Sequence, residues 1–156
     1  MCEFPYSVSF CVVHPSIAPE EITRALGMKL DSQSEAGKER LSFRGKPSGR
    51  KAVLSYWQCK LRHAQRVSSE DVTLDDFLKH RLAELEKNRS FLAQIISDGG
   101  KVFCDIGWDA RSPCTTGVFD HGTLAACGRL GIHLEINVTV PEAWGRRNRG
   151  RAASPS

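Results

Sequence analysis

The sequence lacks any long apolar run. No stretch approaches the ~20 apolar residues that a helix needs to cross a bilayer, so no membrane span is expected. No secretory leader is expected either: Glu3 and Pro5 stand where a basic n-region would lie, and no apolar h-region follows. The expected location is therefore the cytoplasm, where the six cysteines (Cys2, Cys11, Cys59, Cys104, Cys114, Cys127) would be reduced thiols. Neither Cys-x-x-Cys nor His-x-x-x-His occurs, which excludes the common zinc frameworks. Cys11, Cys104 and Cys127 read instead as small buried hydrophobes. Both glycine-rich phosphate loops are absent, Gly-x-Gly-x-x-Gly as well as Gly-x-x-x-x-Gly-Lys-Ser/Thr. No metal and no cofactor are expected. Finally, the last twelve residues contain no acid but four arginines, Arg146, Arg147, Arg149 and Arg151. These account for the whole formal charge of +4, and the body without them is neutral. Residues 142–156 read as a disordered basic tail, and residues 1–141 as one domain with room for a sizeable core.

What is present is periodicity. Ile132, Leu134, Ile136, Val138 and Val140 alternate with His133, Glu135, Asn137 and Thr139, the pattern of a strand with one buried face. Tyr6, Val8, Phe10 and Val12 alternate with Ser7, Ser9 and Cys11 in the same way. Further strands are expected over Ala52 to Leu61 and Val102 to Trp108. Helix signals lie between them. Pro19 with Glu20 and Glu21 opens one helix and Gly27 closes it. Thr73, with Asp76 three residues on, opens a long helical segment carrying Leu74, Phe77, Leu78, Leu82 and Leu85. Asn88 to Ser90 could divide that segment, and the stripe resumes at Phe91, Leu92, Ile95 and Ile96 before Gly99-Gly100. A short helix from Asp120 ends at Leu130-Gly131. Residues 29–50, punctuated by Gly37, Gly45, Pro47 and Gly49, read as a long mobile loop, and 62–72 as a polar linker.

The fold class expected from this order is α+β: a small, mixed, four-stranded sheet built from two β-α-β halves in a ferredoxin-like split arrangement, with the long helical segment between them. Phe10, Trp57, Ile106, Leu134, Ile136 and the Leu78–Leu82–Leu85 stripe form the expected core.

Three groups of residues could carry chemistry. If the first, third and fourth strands adjoin, Ser7, Ser9, Cys11, Asp105, His133, Glu135 and Asn137 share one sheet face. Asp105 and Glu135, with His133, are then candidate acid/base residues. Solvated polar side chains would look the same. Cys114 with Asp120 and His121 resembles a nucleophile and its base, but Asp120 is explained as a helix N-cap. Lys38 to Arg66 holds nine basic residues against one acid, Glu39. Lys46, Arg50 and Lys51, followed by Tyr56 and Trp57, are candidate binding residues, because cations beside aromatics suit anionic partners and nucleic acids. A core tryptophan beside a solvated loop has the same sequence.

Ala18-Pro19-Glu20-Glu21-Ile22-Thr23 with Ala25-Leu26-Gly27, the Gly37-Lys38 turn, Tyr56-Trp57-Gln58, the leucine-rich helical segment and Leu130-Gly131-Ile132-His133-Leu134 resemble the bacterial domain of unknown function family 4279, from Tyr6 to Val140. The resemblance implies a compact bacterial α+β domain with no established activity, sometimes found near toxin–immunity systems. It brings no catalytic residues. With no catalytic constellation in the residues themselves, the expected role is a protein- or ligand-binding module, immunity-protein-like in character. The second reading is a small enzyme using the polar sheet face. The third is a nucleic-acid or anion binder acting through the basic loop.

Overall fold

A computed structural model describes residues 5–42, 44–61, 67–68, 72–110 and 116–140. The chain is α+β. The main sheet contains β1 (Pro5–His14), β2 (Ser32–Ser34), β5 (Ser55–Lys60), β6 (Val67–Ser68), β7 (Lys101–Asp109) and β8 (Ile132–Thr139). Its order is β2-β5-β1-β7-β8, with β6 also pairing β1. β3 (Glu39–Leu41) and β4 (Pro47–Lys51) form a separate two-stranded ribbon. The helices are α1 (Pro19–Leu26), α2 (Leu74–Leu85), α3 (Arg89–Ser97) and α4 (His121–Leu130).

Strand direction explains how this sheet differs from the expected four-stranded one. β7 and β8 are parallel neighbours joined through α4, so the second half is a β-α-β unit. The first half is a split one, and its second strand is not the expected β5. β1 and β5 run antiparallel, and so do β2 and β5. β1 and β2 therefore point the same way, and α1 returns the chain to β2 rather than to β5. β5 then inserts between them. The expected 29–50 loop contributes β2, β3 and β4. The ribbon holds its turn through Gly45 N–H to Ser42 O (2.8 Å) and Ser42 N–H to Lys46 O (2.7 Å). The expected 62–72 linker includes β6.

Helix boundaries follow the capping residues. Thr73 Oγ1 accepts from Asp76 N–H at the start of α2, and Asp120 Oδ1 accepts from Thr123 N–H at the start of α4. Asp120 N–H also donates to Asp75 Oδ1, and Lys79 bridges Asp75 and Asp120. This charged knot ties the N-termini of α2 and α4 together. α1 and α4 both end on a glycine in the left-handed region, Gly27 and Gly131. The long helical segment is two helices joined by a 3-10 turn at Glu86–Asn88.

All four helices bury side chains in one core on one face of the sheet. Tyr6, Val8, Phe10, Val12, Trp57, Cys59, Leu61, Val102, Cys104 and Ile106 meet Ile22, Leu26, Leu78, Leu82, Leu85, Leu92, Ile95 and Cys127 there. Phe10, Trp57, Ile106 and the leucine stripe occupy the core as expected, and Leu134 packs at its margin. Ile136 does not. It points to the helical side but remains 43% exposed, followed by Val138 at 57% and Val140 at 50%. α4 spans ten residues and covers only the first part of β8. Ile136→Ala is accordingly expected to lower stability by about 1 kcal/mol, not the ~2–5 of a core isoleucine. Urea unfolding of the two proteins reads this directly.

Candidate functional site: the sheet face opposite the helices and the basic ribbon

The alternation that buries one face turns the other outward. Because β5, β1, β7 and β8 adjoin, Tyr56, Gln58 and Lys60, then Ser7, Ser9, Cys11 and Val13, then Lys101, Phe103, Asp105 and Gly107, then His133, Glu135, Asn137 and Thr139 share this second face. Among the described residues no helix lies on it. Cys11 and Phe103 are register partners at its centre and are buried. Tyr56 Oη lies 3.6 Å from Cys11 Sγ, and the Lys101 ammonium sits 4.9 Å from the Phe103 ring centroid. The face thus has a small apolar centre and a polar, exposed margin.

The three acid/base candidates come together here, since Asp105 is the register partner of Glu135 and Phe103 that of His133. Both carboxylates already have partners from the neighbouring strand. Lys101 of β7 pairs with Glu135 of β8, and Asn137 Nδ2 of β8 donates to Asp105 Oδ1 of β7 at 2.6 Å. The cross-pairing answers the repulsion of two acids side by side. It also occupies the groups a proton-transfer site would need free. The thiol is no better suited to catalysis. Burial pushes Cys11 up to about 11; the Tyr56 hydrogen bond opposes the rise, and the negative charges of Asp105 and Glu135 add to it. Burial likewise raises Tyr56, helped by its contact with Cys11. Both groups are neutral at pH 7, and a neutral thiol is a poor nucleophile.

A raised thiol pKa has a consequence for stability. The folded state holds the Cys11 proton more tightly than the unfolded chain does, so the stabilisation is complete below pH 9 and is lost as pH rises toward 11. At about 1.4 kcal/mol per pH unit, this amounts to about 2–3 kcal/mol. Burial raises Cys104 as well, so the fall continues at higher pH. Urea midpoints at pH 8 and 10.5 should differ accordingly, and the difference should shrink in Cys11→Ala.

The five binding candidates separate. Trp57 is fully buried in the core, and its indole N–H donates to Thr23 Oγ1 at 2.9 Å. It is removed from any surface shared with the basic residues. Tyr56, its neighbour in the strand, points to the opposite face and is half-buried. Lys46 lies beside β4, and Arg50 and Lys51 lie in it, all exposed. The ribbon also carries exposed Arg40 and Arg44. Glu39, its one acid, accepts from Gly49 N–H at 2.9 Å within the ribbon itself. Lys38 pairs with Glu35 (2.5 Å), but no acid among the described residues pairs with Arg40, Arg44, Lys46, Arg50 or Lys51. Lys101 was not singled out from the sequence. Its signal was a lone cation at a strand start, directly after Gly99-Gly100.

Cys114 and the 142–156 tail lie outside the described residues. His121 is the exposed first residue of α4, and Asp120 is its cap. Cys11, Cys59, Cys104 and Cys127 are buried free thiols. Among the described residues, no three His, Cys, Asp or Glu side chains are grouped to hold a metal, and no helix is long and apolar enough to cross a membrane.

Neither the curated proteins nor the solved structures offer a match to this chain. A family profile does match, across residues 4–141, which takes in every described strand and helix. With that coverage, the chain belongs to the DUF4279 family, a domain of unknown function.

Proposed function

We propose that this protein is a binding module that engages an acidic protein partner through the β3–β4 ribbon. The observation behind this reading is the ribbon itself. It holds five exposed cations without an acidic partner among the described residues, on a body whose charge balances only with those cations included. A short hairpin held by its own hydrogen bonds presents charge at little ordering cost on binding. The half-buried Tyr56 and the polar margin of the neighbouring sheet face offer further contact area. The paired state of Asp105 and Glu135 favours binding over catalysis. An immunity-type inhibitor, which works by occupying a partner's surface, fits such a site. Buried free thiols suit a reducing compartment such as the bacterial cytoplasm.

The test is charge reversal. Lys46→Glu, Arg50→Glu and Lys51→Glu together should abolish capture of the partner from native lysate, while circular dichroism and the unfolding midpoint hold, because exposed substitutions seldom cost much stability. Capture by the parent protein should weaken as salt rises, since the screening length falls from about 10 Å at 0.1 M to about 3 Å at 1 M. Unchanged capture by the folded triple variant would remove the ribbon from the interface. Equal, salt-sensitive binding of a single-stranded oligonucleotide would favour the nucleic-acid reading instead.

A further inference from the structure

The two edges of the main sheet are built differently. At one edge, β2 is three residues long, too short to template another strand. At the other edge, β8 runs for eight residues. It contains no proline, lysine or bulge, the devices that usually blunt an edge. Among the described residues, β7 is the only strand that pairs with it.

Hydrogen-bond parity shows which residues face outward along that edge. Thr139 C=O accepts from Ala110 N–H, on the β7 side, at 2.9 Å. The backbone N–H and C=O of one strand residue point the same way, and residues alternate. His133, Glu135, Asn137 and Thr139 therefore turn their backbone groups toward β7, and Leu134, Ile136, Val138 and Val140 turn theirs to the free edge. The outward set includes the three apolar side chains left exposed at 43%, 57% and 50%. Among the described residues, nothing pairs this outward backbone or covers this apolar surface, and the two coincide on the same residues.

We propose that β8 pairs with β8 of a second copy of this chain, antiparallel about a two-fold axis through Ile136, forming one continuous sheet across a homodimer. The choice of occupant rests on self-complementarity. Centring on Ile136 uses the whole stretch from Ile132 to Val140, and every outward backbone group meets an outward one, for up to about ten hydrogen bonds. On the helical side, Ile136 meets its own symmetry mate, and Leu134 meets the mate's Val138. The polar face is complementary in the same register. Glu135 falls opposite the mate's Asn137, in a non-hydrogen-bonded pair where side chains approach closely, and His133 falls opposite the mate's Thr139. No acid faces an acid and no cation a cation. A shift by one residue would set outward backbone groups against inward ones, so parity restricts the register.

This interface is separate from the basic ribbon, and its test does not depend on the ribbon's partner. Light scattering on the eluting full-length protein at about 100 µM should give twice the monomer mass of 17.3 kDa. Ile136→Lys should return it to the monomer mass with its circular dichroism spectrum intact. In a hydrogen-bonded antiparallel pair the Cα atoms are about 5.5 Å apart, within the range a disulfide spans. Ile136→Cys should therefore give a covalent dimer on mild oxidation, above the background of the native cysteines, and Val138→Cys should not. A monomer at 100 µM, a dimer untouched by Ile136→Lys, or equal cross-linking at positions 136 and 138 would each overturn the proposal.

Discussion

Replacing Trp57 with alanine is expected to lower the unfolding free energy by about 3–5 kcal/mol, the range for truncating a large buried aromatic. Trp57 is fully enclosed and stacks edge-on against Phe10, with ring centroids 6.3 Å apart. It also joins two layers. Its indole N–H reaches Thr23 Oγ1 on α1, and the Thr23 hydroxyl in turn donates to Pro19 O, in the first turn of the same helix. Removing the ring opens a cavity and leaves the exposed Gln33–Glu20 contact (3.4 Å) as the remaining polar tie from α1 to the sheet among the described residues. Trp57→Phe keeps most of the apolar area and loses the hydrogen bond, so it should cost about 1–2 kcal/mol. Urea denaturation monitored by far-ultraviolet circular dichroism, which does not rely on the lost fluorophore, separates the two. A loss below about 1.5 kcal/mol for Trp57→Ala would mean that α1 repacks freely and does not dock on this ring.

Gly100→Ala is expected to cost about 2–4 kcal/mol, although it adds a single methyl. A Cβ built on Gly100 would lie 2.7 Å from Ile95 O, 2.8 Å from Ile95 Cγ2 and 2.9 Å from His14 Cδ2. Ile95 and His14 are both buried, and the first of these contacts is backbone, so little can give way. The same substitution would strain the bond from Gly100 N–H to Ile95 O (2.8 Å) that closes α3. Overpacking of about 1–3 kcal/mol and a weakened hydrogen bond of about 1 make up the figure. Gly27 offers the contrast. Its φ is +64°, yet nothing lies within 4 Å of a built Cβ. Gly27→Ala meets only the backbone preference, about 1 kcal/mol. If thermal or urea unfolding ranks the two variants equally, space at Gly100 is not the constraint.

Alternation was enough to place β1 and β8 and to assign their faces, because a period of two fixes which side chains share a side. β5 was legible as a strand, but both its faces read as mixed, with Val53, Trp57 and Leu61 on one and Leu54 and Tyr56 on the other. Alternation could not reveal direction. A sequence pattern is the same for a strand running up or down, so β1 and β5 read as parallel halves of a crossover when β5 in fact lies between β1 and β2. β2 and β3 were invisible for a simpler reason: three residues cannot display a period. Helix stops at Gly27 and Gly131 were legible from residue chemistry, as was the cap at Asp120. The polar face was legible as a set, and so were its acids. The pairing of Lys101 with Glu135 and of Asn137 with Asp105 was not, since it depends on the register of β7 against β8. Ile136 shows the same limit. Its periodicity gave the correct side of the sheet, but whether a helix reaches far enough to cover that side is a matter of length and placement.

The position of β1 at the centre of the sheet also sets the order of events during synthesis. Val12 pairs with Val102, about ninety residues later, and with Trp57 on its other side. β1 therefore waits until β7 has been made before both its edges are occupied. Within the main sheet, among the described residues, only β7, α4 and β8 form a strand-paired unit that is local in sequence. Such long-range pairing raises the contact order and predicts slow folding, in the range of milliseconds to seconds. Until β7 arrives, the apolar side of β1 has no lasting cover, and nascent chains stalled before residue 100 should be bound by chaperones in a way that completed chains are not.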